Sequence, residues 1–143
     1  MTATILIVDD DPIQRRLLTE MVRRFGYDPV AVESGTAALD KVLSGLDIAA
    51  MVLDLVMPDL DGMGVLARLK EIENAPPVIV QTAHGSIETV ISAMRAGAVD
   101  FVVKPVGAER LQISIKNAMR VDALEGEVRR LAKRTTGALQ LKD

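Results

Sequence analysis

Apolar positions along the chain follow two alternating rhythms. Short, almost unbroken runs occur at Ile5–Val8, Pro29–Val32, Ala49–Leu53, Val78–Val80 and Asp100–Val103. Between them lie longer stretches whose apolar residues recur every three or four positions. These are Ile13, Leu17, Leu18, Met21, Val22 and Phe25; Ala38, Leu39, Val42 and Leu43; Val65, Leu66, Leu69 and Ile72; and Ile87, Val90, Ile91 and Met94. The first rhythm predicts strands, the second the inner faces of amphipathic helices. Gly26 and Gly97 are placed to stop helices, Ser86 to cap the fourth, and Asp11 before Pro12 to open the first. The third and fourth runs are apolar throughout, as strands covered on both faces are. The Pro29 run reads as the most marginal strand and suits an edge. Strand and helix in regular succession predict an α/β chain with a doubly wound, five-stranded parallel sheet and helices on both faces.

The C-terminal part changes rhythm. Leu111, Ile115 and Ala118 form the stripe of a fifth helix. Val121, Leu124, Val128 and Leu131 then take up 3-4-3 spacing in a rotated phase, the seam of a coiled coil, with Arg120 and Glu125 at flanking positions. Gly126 on the outer side weakens such a helix by about 1 kcal/mol relative to Ala. A dimer helix and an amphipathic extension with a solvated outer face both fit. The division expected is residues 1–120 as one domain and 121–143 as a helical extension or linker, leading to an output domain outside the sequence.

Length and composition narrow the class. A chain of 143 residues holds one full core, yet is too short for a (β/α)₈ barrel. With 49% hydrophobic and 2% aromatic residues the interior is aliphatic. A net charge of -3 gives no general affinity for nucleic acid, and the absence of cysteine excludes disulfides and thiolate metal sites. No run approaches the ~20 apolar residues of a membrane helix. No basic, apolar leader precedes the first strand. A cytoplasmic setting without membrane association is expected.

The chemistry lies where the strands stop. Ile5–Val8 ends at Asp9, Asp10 and Asp11, the third run at Asp54, the fourth at Thr82 and the fifth at Lys104-Pro105. In open parallel sheets ligands bind outside the carboxyl ends of the strands. Asp9, Asp10 and Asp54 would converge there, and crowded carboxylates repel unless a cation lies among them. Mg²⁺ suits an all-oxygen set, and an aspartate beside it is a competent nucleophile toward phosphorus. Lys104 adds a second cation and Thr82 a hydroxyl donor. Taken singly, each has a plainer use: Asp11 as a helix cap, Asp59 and Asp61 as turn and cap, Lys104 as a surface lysine, Thr82 as a turn hydroxyl, and His84 as a loop histidine. Their joint placement after four strands is what argues for a site.

The segments Ile5-Leu6-Ile7-Val8-Asp9-Asp10-Asp11, Leu53-Asp54-Leu55-Val56-Met57-Pro58-Asp59-Leu60-Asp61-Gly62, Thr82-Ala83 and Val103-Lys104-Pro105 resemble the receiver domain of bacterial two-component response regulators. The resemblance runs from Thr4 to Ala118 and implies the flavodoxin-like strand order 2-1-3-4-5. It further implies that Asp54 accepts a phosphoryl group from a sensor histidine kinase. Asp10, Asp54 and the backbone carbonyl of Val56 would ligate Mg²⁺, and Asp9 would hold a metal-bound water. By the same likeness Thr82 and Lys104 contact the phosphoryl oxygens, Lys104-Pro105 is cis, and Phe101 is the switch aromatic. Val56 and His84 would tune the loss of phosphate to water. Val106 departs from the aromatic usual after Lys-Pro. The stretch Thr82–Thr89 and the helical tail are similar to NtrC-type receivers, which implies transcriptional control, a homodimer, and DNA binding only through an output domain.

The function expected is therefore a Mg²⁺-dependent phosphoacceptor whose fourth helix, fifth strand and fifth helix form the responding face, a signalling receiver rather than an enzyme. The alternatives are a stand-alone receiver or phosphorelay intermediate, a scaffold receiver, and a Mg²⁺-dependent phosphohydrolase with an aspartyl nucleophile. Such a hydrolase needs an acid/base Asp two residues past its nucleophile, where Val56 stands. A flavin or nucleotide module would want glycines and free N–H groups after the first strand, where three carboxylates stand instead.

Overall fold

The computed structural model describes residues 2–57, 60–83 and 87–120. Expectations for Asp59, His84, the Ser86 cap and the extension 121–143 lie outside the described residues. The elements are β1 (Thr4–Val8), α1 (Pro12–Arg24), β2 (Asp28–Val32), α2 (Gly35–Leu43), β3 (Ala50–Asp54), α3 (Gly62–Leu69), β4 (Val78–Thr82), α4 (Ile87–Arg95) and β5 (Asp100–Val103). Residues 108–120 are helical and are termed α5. All strand pairs are parallel, in the order β2-β1-β3-β4-β5. The fold class and strand order expected from the sequence are thus observed. β2, with its Pro29, is an edge strand hydrogen-bonded to β1 alone, where a missing N–H is tolerated.

The sheet separates two aliphatic cores because successive strand residues point to opposite faces. Leu6, Val8, Met51, Leu53, Val78 and Val80 pack with α2, α3 and α4, while Ile5, Ile7, Val52, Ile79 and Val102 pack with Leu18 and Val22 of α1 and Leu111 and Ile115 of α5. Val106 joins the second core, so the position after Lys-Pro is filled by a small aliphatic contact.

Helix ends are set by local chemistry. The Asp11 side chain accepts from Ile13 N–H with Pro12 following, Ser34 from Ala37 N–H, and Asp61 from Gly64 N–H, each satisfying a donor the helix leaves unpaired. Gly26 at φ 93° and Gly97 at φ 114° take the left-handed conformation that turns the chain out of α1 and α4. Two inner faces differ from expectation. Ile13 and Leu17 of α1, and Ile87, Ile91 and Met94 of α4, are exposed, whereas Ala93 is the buried residue of α4. In α1 the covered stripe is narrowed to Leu18 and Val22, with Met21 partly buried beside them. In α4 a small residue lets the helix lie close, so its larger side chains project outward.

An ion pair ties α5 to the start of β5. Arg110 donates to both oxygens of Asp100 at 3.0 and 3.1 Å and to the Phe101 carbonyl at 2.7 Å, and the Ser114 hydroxyl donates to Asp100 at 2.7 Å. Burial works to raise the Asp100 pKa, but the hydrogen bonds from Arg110, Ser114 and Phe101 N–H outweigh it, leaving it below the ordinary 3.8. A depressed folded pKa stabilises the fold above 3.8 and loses that contribution as pH falls through the folded value. Asp100→Asn should therefore cost about 1 kcal/mol at neutral pH. Urea unfolding midpoints of parent and variant should converge as pH drops below 3.8.

Candidate functional site

Two neighbouring strand ends bring the acidic residues together. Asp9 follows β1 and continues its ladder through its N–H to the Val32 carbonyl, 3.2 Å, and Asp54 closes β3. Asp9, Asp10 and Asp54 each offer a carboxylate oxygen within 4.8 Å of the others; Asp9 and Asp54 are buried and Asp10 is exposed. Strand alternation places Asp9 and Asp54 on the face of Ile7 and Val52, toward α1 and α5. Lys104, just past β5, reaches over from the same side. Its Nζ lies 3.2 Å from Asp54 Oδ2 and 3.6 Å from Asp9 Oδ2. Its backbone N–H donates to the Thr82 carbonyl at 2.8 Å, which fixes the lysine against the end of β4. The Lys104-Pro105 bond is cis.

The remaining oxygens are committed to backbone donors. Asp54 Oδ1 accepts from Val56 N–H at 3.2 Å, and Asp9 Oδ1 from Asp11 N–H at 2.9 Å. Val56 itself is exposed. Behind Asp54, the N–H of Gly62 donates to the Leu55 carbonyl at 3.1 Å. A Cβ at Gly62 would stand 2.6 Å from Leu55 Cα and 2.7 Å from the Asp54 carbonyl oxygen, so only glycine permits that approach. Arg15 crosses from α1, its Nη1 donating to the Asp9 carbonyl at 2.9 Å and its Nη2 lying 4.0 Å from Glu33.

Thr82 and Phe101 belong to the other face. Thr82 is buried at the end of β4, and Phe101 is half-buried against the core beneath α4. The register pairs Val80 with Phe101 and Thr82 with Val103. Thr82 and Phe101 are therefore diagonal neighbours, within reach of an aromatic side chain.

Two further participants escaped the sequence reading. Gln81, fully buried in β4, donates from Nε2 to Asp9 Oδ2 at 2.9 Å, and its Oε1 has no hydrogen-bond partner among the described residues. A lone amide in the apolar run Val78-Ile79-Val80 was the available signal. Arg15 gave none, since an arginine on a helix is ordinarily solvated.

Electrostatically the site is short of positive charge. Of the three clustered carboxylates, Asp9 and Asp54 share the Lys104 ammonium, the only cation paired with their side chains among the described residues. Burial is the main cause that raises the Asp9 pKa above 3.8, with Asp54 and Asp10 adding to it and the Asp11 N–H and Lys104 opposing it. The donors are all oxygens, the choice of a hard divalent ion, and the orphaned Gln81 Oε1 is one more buried acceptor facing no donor. The residues fit Mg²⁺.

This fold and this arrangement of strand ends define a doubly wound α/β module with an acidic cluster at the carboxyl ends of its strands, and comparison with known proteins places the chain in a family. The family model for the response regulator receiver domain matches residues 5–116. The chain belongs to the response regulator receiver family. It is 32% identical over 127 residues to the regulatory protein AtoC of Escherichia coli, covering 89% of this chain and 27% of that protein. A crystal structure of NtrX from Brucella abortus superposes with a TM-score of 0.84 at 34% identity, covering 94% of this chain and 30% of that one. The receiver domain of a LuxO repressor protein from Vibrio parahaemolyticus gives a TM-score of 0.81 at 30% identity, covering 90% and 98%. These relatives bear out the likeness to NtrC-type receivers. The chain spans about a quarter of the length of the curated relatives it matches. Among the described residues no helix is long and apolar enough to cross a membrane.

The raised Asp9 pKa carries a sign. The native state holds its proton more tightly than the unfolded chain, so stability falls as pH rises from 3.8 through the folded value. Asp9→Asn removes that cost and offers a donor to Gln81 Oε1. In EDTA at neutral pH it should stabilise the fold by about 1–2 kcal/mol, a gain that thermal melts should see shrink toward pH 3.8.

Proposed function

We propose that this domain is a Mg²⁺-dependent phosphoacceptor, with Asp54 taking a phosphoryl group from a sensor histidine kinase. The single observation that carries the reading is the pairing of a buried Asp54 with Lys104 at 3.2 Å inside a cluster of carboxylates. An Asp54 oxygen bonds to phosphorus as the phosphorus–nitrogen bond of the donor phosphohistidine breaks, and the departing imidazole takes up a proton. Lys104 offsets charge on the phosphoryl oxygens and Thr82 donates to one of them. Asp10, Asp54 and the Val56 carbonyl would hold Mg²⁺ with Asp9 in an outer position; the ion supplies charge neutralisation of the incoming phosphoryl oxygens.

The output follows from the second face. Phosphorylation replaces the single charge of the Asp54 carboxylate with about two negative charges on phosphoryl oxygens, drawing Thr82 toward Asp54 and freeing the space beside it for Phe101. The exposed apolar side chains Ile87, Ile91, Met94, Val103 and Ile113 of α4, β5 and α5 support this as the responding surface. Such a surface suits a second copy of the chain, extended by residues 121–143. Residues 1–120 then act as the receiver, and an output domain beyond the sequence would bind DNA and control transcription. The reading places the chain in the cytoplasm, as a signalling receiver with no substrate to turn over.

Incubation with acetyl phosphate and Mg²⁺ should add one phosphoryl group by mass, as the donor's phosphorus–oxygen bond breaks and acetate leaves with the bridging oxygen. Asp54→Asn and excess EDTA should each abolish the adduct; an Asp54→Asn protein labelled like the parent sinks the assignment. Phe101→Ala should keep phosphoryl uptake and lose phosphorylation-dependent self-association in sedimentation.

A further inference from the structure

We propose that Gln81 is a positioning residue of the acidic site, clamping Asp9 as an outer acceptor and so setting the site's affinity for its divalent ion. The inference rests on the phosphoacceptor reading above and extends it to a residue with no role there. Gln81 sits in register opposite Asp54, and its carbonyl accepts the Leu55 N–H at 3.2 Å. The residue is therefore built into the same backbone that presents the acceptor. Its side chain lies on the Asp9 side of the sheet, fully buried.

A carboxamide there is expensive. Val78, Ile79 and Val80 fill the same strand with aliphatic packing, and burying an amide without full pairing carries a penalty that another aliphatic residue would avoid. An amide offers two donors and one acceptor oxygen. One donor is spent on Asp9 Oδ2 at 2.9 Å, and the oxygen is unpaired. The nitrogen faces Asp9 because an ionised carboxylate accepts and never donates. With Oδ1 bonded to Asp11 N–H, both Asp9 oxygens are then held and the carboxylate cannot rotate. Gln81 Oε1 shares its carbon with Nε2 and so lies beside Asp9. An acceptor so placed is matched by a donor brought in with a hydrated cation, and a hard ion of this kind keeps several waters. Partners that orient a ligand in this way govern metal affinity almost as the ligands do.

The test uses the full chain and the variants Gln81→Met and Gln81→Leu, both near in volume and lacking the amide. Mg²⁺ is titrated calorimetrically without phosphodonor, melts are recorded in EDTA, and the Gln81 side-chain amide is followed by NMR in the parent. The expected result is Mg²⁺ affinity weakened about 10-fold in both variants. Melting in EDTA should stay close to the parent's, since removal of the unpaired Oε1 offsets loss of the donor to Asp9, and the parent amide signals should move on saturation with Mg²⁺. Variants that bind Mg²⁺ as tightly as the parent overturn the proposal, as does a parent amide that stays put. Lost stability in EDTA assigns Gln81 to the core and overturns it too. A parent chain that fails to bind Mg²⁺ defeats the phosphoacceptor reading itself, whereas a binding parent with unchanged variants defeats only the role of Gln81.

Discussion

Negative charge held where the fold can least solvate it is the constraint around which the rest is arranged. Asp9 and Asp54 are buried at the end of a sheet whose interior is aliphatic on both faces. Their mutual repulsion is met by one ammonium, at 3.2 Å from Asp54 and 3.6 Å from Asp9. Leaving such a group uncompensated is among the costliest things a core can contain. The cost is sustained because the surrounding strands are fixed by packing they do not share with the site. Ile5, Leu6, Ile7, Met51, Val52 and Leu53 are wholly buried just before the carboxylates begin. The glycine at position 62, pressed against the Asp54–Leu55 backbone, fixes the other side of the acceptor.

Strand alternation then divides the candidate site residues between the two faces of the sheet. Asp9, Asp54 and Gln81 fall on the face covered by α1 and α5, while Thr82 and Phe101 fall on the face covered by α4. Gln81 and Thr82, adjacent in sequence but opposite in direction, bring the two faces together at the end of β4. Under the proposed function this two-sided arrangement would convert a charge event into a packing event without a long path, as a local switch with a distant readout requires. The Asp100–Arg110–Ser114 cluster holds the start of β5 to α5, which fixes the backbone beside Phe101.

How far the sequence was legible depends on what each residue had to do. Runs such as Ile5–Val8 declared themselves because strands buried on both faces leave no room for polar residues. The caps Asp11 and Asp61 were legible because backbone donors at a helix start need an oxygen. Strand order was not legible from the residues, since periodicity says nothing of which strands adjoin; it came with the family resemblance. The inner faces of α1 and α4 were drawn too wide. Ile13, Leu17, Ile87, Ile91 and Met94 keep helical spacing yet stay exposed, because three-and-four spacing marks an apolar stripe and not what covers it. Gln81 was passed over for the opposite reason: one polar residue between an apolar run and a conspicuous threonine looks like a strand end, and only the pleat reveals that it faces Asp9.

Lys104 shows why charge and packing cannot be separated in this design. Its ammonium is shared between Asp54 and Asp9, and its own N–H is bonded to the Thr82 carbonyl at 2.8 Å. Under the proposed chemistry, esterifying Asp54 moves negative charge off the carboxylate and outward onto phosphoryl oxygens. The ammonium must follow that charge, and Asp9 then loses part of its counterion unless other donors hold it. The Asp11 N–H and the Gln81 amide are those donors. Meanwhile the segment carrying Lys104 is tied to the residue whose hydroxyl must also move. Lysine and threonine are thus two ends of one backbone hydrogen bond, and a phosphoryl group that attracts both draws the ends of β4 and β5 together as a unit.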